Sequence, residues 1–227
     1  MRAPAIALLL VSGLVAPLHG QADTPIRLEG RVPPAVAEAV RAIADSVARE
    51  GLPVRPLFRK ALEGGAKGIP ADRIIAAVGT VASQMAQAAK ALRSEHVAPD
   101  PEAIEAGGYA INAGLSAAQV ADLGRGGRPP HSVAASLESA GTLAALGVPP
   151  GQAVALVHQW IRSGRSPDQV LLLPQQLEAA MARGASAAQA ASGIARGEQP
   201  GASGNHPEHP EHPEHPESPS HPQDRRP

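Results

Sequence analysis

The chain has 227 residues, a formal net charge of −1 and no cysteine. Without cysteine, it cannot form disulfides, thiolate metal sites, a thiol nucleophile or a lipid-modified N-terminal cysteine. The near-neutral charge argues against nucleic acid or an anionic membrane surface as a partner.

Residues 1–22 have the pattern of a secretory signal peptide. Arg2 supplies the positive charge, an apolar stretch runs from Ala5 to Val15, and Gly20-Gln21-Ala22 is a small-x-small cleavage site. The apolar stretch is much shorter than the roughly 20 residues of a membrane span, although an uncleaved anchor is the alternative. We therefore expect a periplasmic or secreted protein without a membrane span after signal cleavage, with an N-terminal linker at 23–32.

Residues 33–197 are predicted to form an all-α domain. The first helix, in 33–50, has one apolar stripe composed of Val36, Val40, Ile43 and Val47. The longest helix, about six turns, is predicted to end near Ser94, and its stripe comprises Ile74, Val78, Val81, Met85, Ala88 and Leu92. Further helices are predicted over 54–66, 100–113, around Val120 and Leu123, and over 132–144, 149–161, 166–173, 174–181 and after Ser186.

A short phrase recurs between these helices: a glycine, an apolar or small residue, Ser or Pro, and then Gln or Arg three positions later. The copies begin at Gly68, Gly114, Gly147, Gly164 and Gly184, with a degenerate copy at Gly51. Glycine in the left-handed conformation closes one helix, and Ser or Pro begins the next. Where Ser leads, the Gln completes a capping box.

Each copy of the phrase is therefore predicted to be a corner between two helices. The fold class that follows is an irregular array of short antiparallel helices, paired as helical hairpins around the glycines at 68, 114, 147 and 184. An open, solenoid-like array and a compact multi-helix domain are the two alternatives.

Glycine also marks two weaker places inside the domain. Gly107 and Gly108 are expected to destabilise the middle of their helix by about 1 kcal/mol each relative to alanine. The segment from Gly124 to Pro130 is the clearest internal loop and the best candidate for a hinge.

Residues 198–227 are predicted to be a disordered tail. A His-Pro-Glu tandem follows Asn205, and proline at every third position forbids a helix and favours polyproline II. The tail's imidazoles suggest weak transition-metal binding, with a solvated spacer as the alternative. In polyproline II, however, successive histidines stand about 9 Å apart, too far to ligate one ion without a bend.

The helical part is poor in groups that catalyse reactions. No nucleophile elbow, zinc-protease motif, phosphate-binding loop or dinucleotide fingerprint is present. Twelve residues are considered as candidates for a functional site, and each also has a purely structural interpretation. They are His96, His131, His158, Lys60, Lys67, Lys90, Phe58, Tyr109, Trp160, Glu63, Glu102 and Glu105. We assign no catalytic, cofactor-binding or metal-binding residue and expect no cofactor.

Residues 112–120 and 182–190 each resemble the turn of a helix-turn-helix, in which glycine, an apolar residue and Ser join two helices. The resemblance implies DNA binding through the second helix of each pair. Here the segments after Ser116 and Ser186 are mostly Ala, Gln and Val, and export would separate the protein from DNA. Nucleic acid is therefore not an expected partner.

These observations favour an exported, non-enzymatic helical protein with an interaction or structural role in the cell envelope, and with a protein partner. The many small side chains predict closely packed helices with little room for a deep pocket. The alternative function is metal handling by the histidine-rich tail.

Overall fold

In a computed structural model, the chain is described over residues 26–94, 99–126 and 132–197. Those ranges contain helices and no strand, which confirms the predicted all-α fold. The helices are α1 (Pro34–Arg49), α2 (Arg55–Ala66), α3 (Ala71–Ser94), α4 (Pro101–Asn112), α5 (Ala117–Gly126), α6 (Val133–Ala145), α7 (Pro150–Arg162), α8 (Pro167–Leu171), α9 (Leu173–Met181) and α10 (Ala187–Ala195). The predicted signal peptide and the predicted tail lie outside the described residues.

The α3 helix has 24 residues and is the longest in the described part of the chain. Five of its six predicted stripe residues are buried, and Val81 is half-buried. None of the described helices combines the length and the hydropathy needed to cross a bilayer.

The glycine corners form as predicted. All six glycines of the recurring phrase have a positive φ, for example +106° at Gly114. The Gly114 N–H donates to Ile111 O, and the Leu115 N–H donates to Ala110 O, which is the Schellman arrangement. The same pair of bonds ends the helices before the glycines at 51, 68, 147 and 184. Leu115 is only 3% exposed, so the apolar residue after the glycine anchors the corner in the core.

The capping boxes predicted for the serine-led corners are also present. The Gln119 N–H donates to Ser116 Oγ at 3.3 Å, and the Ser116 N–H donates to Gln119 Oε1 at 2.8 Å. Ser186 and Gln189 make the same two bonds. These bonds satisfy backbone donors in the first turn of a helix, which are otherwise left without partners.

Glycine allows α4 to pack closely between α3 and α6. A methyl group built on Gly107 would lie 2.8 Å from the Ala88 methyl of α3, and one on Gly141 of α6 would lie 3.0 Å from Ala110 Cα of α4. Both distances are shorter than ordinary van der Waals contacts, so the helices meet where side chains are missing. The glycines that lower the helix propensity of α4 are thus the residues that permit its packing.

Extensive contacts in the described part of the chain join helices no more than three apart in chain order. Each predicted corner joins two helices that contact one another, and the largest contacts are those of α4 with α3 and with α6. The antiparallel hairpin arrangement itself stays a prediction. In the C-terminal part, Gln152 of α7 donates to Ala188 O and to Ser192 Oγ of α10.

Two apolar clusters form the core of the described residues. One comprises side chains of α1, α2 and α3 together with Ile104 of α4, joined by Leu28 and Val32 from the segment before α1. The other extends from the last part of α3 to α10. Because α3 and α4 contribute to both clusters, they link the two halves of the domain.

The predicted loop from Gly124 to Pro130 begins later than expected. Helix α5 continues to Gly126, so the prediction is wrong for residues 124–126. Gly124 is buried, and a methyl group built on it would lie 2.8 Å from Leu92 Cδ2 of α3. Tight packing against α3 therefore supports a helical turn that contains two glycines. The remaining loop positions, 127–130, lie outside the described residues, so the hinge stays a prediction.

Candidate functional site: a groove between four helices

A groove with a volume of about 940 Å³ lies between α2, α3, α4 and α6. It is larger than the small side chains of the chain led us to expect. Its walls come from α2 and α6, and α3 and α4 supply apolar lining residues that include Val81, Met85 and Ala106. Gly108, at which α4 meets Met85 of α3, also lines the groove.

Two cations of the groove are held by carboxylates of the protein. Arg59 of α2 forms an ion pair with Glu105 of α4. Lys60 Nζ lies 3.1 Å from Glu63 Oε2 on the same helix. Hydrogen bonds from Lys67 and Lys60, with their positive charges, lower the pKa of Glu63 from 4.5 to about 2.

Two further carboxylates line the groove without such partners. Glu102, in the first turn of α4, and Glu138, on α6, make no side-chain hydrogen bond and no ion pair with any described residue. Glu102 lies beside the N-terminal end of α4, where the helix dipole favours a negative charge. The groove lining therefore has two carboxylates available to a ligand.

A tyrosine and a pair of amides complete the polar lining. Tyr109 is 40% exposed, and its ring lies next to Gly141 of α6. Gln84 Nε2 of α3 donates to Asn112 Oδ1 of α4 at 3.1 Å, which links the two helices at one end of the groove. The exposed ring and these amides are able to form both stacking contacts and hydrogen bonds.

The groove gathers several of the residues that the sequence singled out, namely Tyr109, Glu63, Glu102, Glu105 and Lys60. Sequence reasoning missed Arg59, Gln84 and Glu138, because polar residues on separate helices show no local pattern. Lys90 is exposed on α3 and does not line the groove, and Phe58 packs half-buried against the N-terminal core. His96 and His131 lie outside the described residues.

His158 and Trp160 lie on α7, in a separate part of the domain. Trp160 is 4% exposed, and the Arg165 guanidinium lies 4.2 Å from its ring centre. His158 Nε2 lies 2.9 Å from Asp122 Oδ2 of α5, and Arg125 Nη2 donates to Asp122 Oδ1 at 2.8 Å. Partial burial acts to raise the pKa of Asp122, but the hydrogen bonds from His158 and Arg125 outweigh it and lower the pKa below its usual value.

Among the described residues, no group of three or more His, Cys, Asp or Glu side chains is arranged to hold a metal ion. No family model, curated protein or solved structure matches this chain. The groove and the cluster of Asp122, Arg125 and His158 (the Asp122 cluster) are thus interpreted from their own chemistry. The groove provides shape, hydrogen bonds and charge, whereas the Asp122 cluster joins α5 to α7.

Proposed function

We propose that this is a non-catalytic binding protein of the cell envelope that holds a segment of a partner protein in the groove. The observation that carries the proposal is the groove itself, which combines an apolar floor with an exposed tyrosine and two carboxylates that pair with no described residue. Binding sites typically combine an apolar lining with a few polar groups that fix orientation. Export rests on the signal pattern of residues 1–22.

The Glu63 carboxylate of the groove supports binding rather than acid–base chemistry. A general acid needs a pKa near the working pH, whereas that of Glu63 is about 2. Glu105 forms an ion pair with Arg59 of α2. Glu63 is therefore unsuited to donating a proton, and both carboxylates position the lysine and arginine side chains of the groove.

Photo-crosslinking in intact cells tests the proposal. Tyr109→p-benzoylphenylalanine places the reactive group in the groove, and Lys90→p-benzoylphenylalanine places it on an exposed part of α3 outside the groove. We expect a discrete crosslinked species, containing one identified partner, from the first variant only. Recovery of only the free monomer from both variants would contradict the proposal.

The His-Pro-Glu tandem favours a second candidate function, metal handling by residues 198–227. Isothermal titration with zinc and with nickel, on the full chain and on a chain stopped at Pro200, tests this function. We expect binding heat that disappears on truncation. Equal heats from the two chains would rule out the tail as the metal-binding segment.

A further inference from the structure

We infer that the segment held in the groove is basic, an extended stretch of partner polypeptide that carries lysine or arginine. This inference rests on the proposed function and specifies the chemistry of the partner. Four carboxylates and two cations line the groove, so the lining has a net charge of −2. The two cations are paired with Glu105 and Glu63, which leaves Glu102 and Glu138 to act on a ligand.

The helical spacing places these acceptors on the helix faces that meet at the exposed aromatic ring. Glu138 and Gly141 are three residues apart on α6 and share a face, and Gly141 lies against the Tyr109 ring. Glu102 and Tyr109 are seven residues apart, two turns along the same face of α4. A cation within about 6 Å of a tyrosine ring is attracted to its face, and a nearby carboxylate strengthens that attraction.

The size of the groove favours a polypeptide over a single small cation. Its volume of about 940 Å³ lies near the upper end of the roughly 300–1,000 Å³ of drug-sized ligand sites. The apolar floor made by Val81, Met85 and Ala106 provides contact area that a hydrated polyamine does not use. A peptide supplies both the cations for the carboxylates and the apolar atoms for the floor.

The test measures fluorescence anisotropy of labelled eight-residue peptides in which alanine alternates with lysine, with glutamate or with serine. The proteins are the wild type, the double variant Glu102→Gln with Glu138→Gln, and a matched control with Glu38→Gln and Glu178→Gln, which removes two exposed acids outside the groove. All substituted side chains are on the surface, so circular dichroism should show the same helical content in each protein.

We expect the lysine peptide alone to bind the wild type and the control. The groove variant should bind it about 2- to 30-fold more weakly, the loss expected when two exposed ion pairs are removed. Equal affinity of the groove variant and the control, tighter binding of the serine or glutamate peptide, or no binding of the lysine peptide to the wild type would overturn the inference. If the Tyr109 crosslink still captures a partner, those results would refute the basic segment and leave the proposed function standing.

Discussion

The substitution Gly107→Ala tests whether α4 depends on its close contact with α3. The new methyl group would lie 2.8 Å from the Ala88 methyl, 3.5 Å from Val120 Cγ1 and 3.7 Å from Leu137 Cδ1. The Ala88 methyl is attached directly to the backbone of α3, so it cannot move away unless the helix moves. Relief of the clash therefore requires a displacement of roughly half an ångström, since ordinary contacts begin near 3.4 Å.

Two opposing effects determine how much Gly107→Ala changes the free energy of unfolding. Replacing a helical glycine by alanine stabilises a helix by about 1 kcal/mol. Overpacking a tight interior typically costs about 1–3 kcal/mol. With a cost near the middle of that range, we expect Gly107→Ala to lower the free energy of unfolding by about 1 kcal/mol. For a domain of this size the melting temperature should fall by about 2–4 °C.

Gly79→Ala is the matched control, because Gly79 is also inside a helix and a methyl group there would meet no atom within 4 Å. It should raise the free energy of unfolding by about 1 kcal/mol. The measurement is urea and thermal unfolding followed by circular dichroism. Adding Ala88→Gly to Gly107→Ala should remove the clash and show a coupling energy of about 0.5–3 kcal/mol between the two sites. Equal stabilisation by Gly107→Ala and Gly79→Ala would refute the packing argument.

Three further predictions concern capping and charge. Ser186→Ala should lower the free energy of unfolding by about 1 kcal/mol in the same assay, because it removes the N-cap bond to the Gln189 N–H; an unchanged stability would contradict this. In a carbon-detected NMR titration, the Glu63 carboxylate should titrate near pH 2, and Lys67→Gln should move its pKa towards 4.5; a wild-type midpoint at 4.5 would refute the ion pairing. Because the pKa of Asp122 is lowered, its contribution to stability is present above its unfolded pKa near 3.8 and is lost as the pH falls through the folded value. In urea titrations, the advantage of wild type over Asp122→Asn should therefore shrink as the pH falls below the unfolded pKa near 3.8, and a constant difference would count against the prediction.

Most of the helix boundaries could be predicted from the sequence because they depend on capping residues close to each helix end. The glycine at each corner, the apolar residue after it and the Ser-Gln pair act within six residues, so their pattern predicts a corner without knowledge of the rest of the fold. Gly124 shows where this reasoning fails. Its helical conformation depends on packing against Leu92, more than 30 residues earlier in the chain, and helix propensity contains no information about that contact.

Only part of the groove could be predicted from the sequence. Glu102, Glu105 and Tyr109 share one helix, and their spacing already places them on one face. Arg59 comes from α2, which packs against α3, and Glu138 comes from α6, which packs against α4, so their approach depends on the packing of all four helices. The small side chains also led us to expect little room for a deep pocket. That expectation considered only the contact between two helices, whereas the groove is the space left among four helices.

The folding rate depends on how far apart in the chain the contacting helices are, and here they are near neighbours. In the described part of the chain, the extensive contacts close short loops, which lose less conformational entropy than long ones do. Proteins rich in such local contacts fold on the microsecond to millisecond timescale. We therefore expect rapid folding in which neighbouring helices associate first, with α3 providing the surface on which the N-terminal and C-terminal groups of helices each assemble.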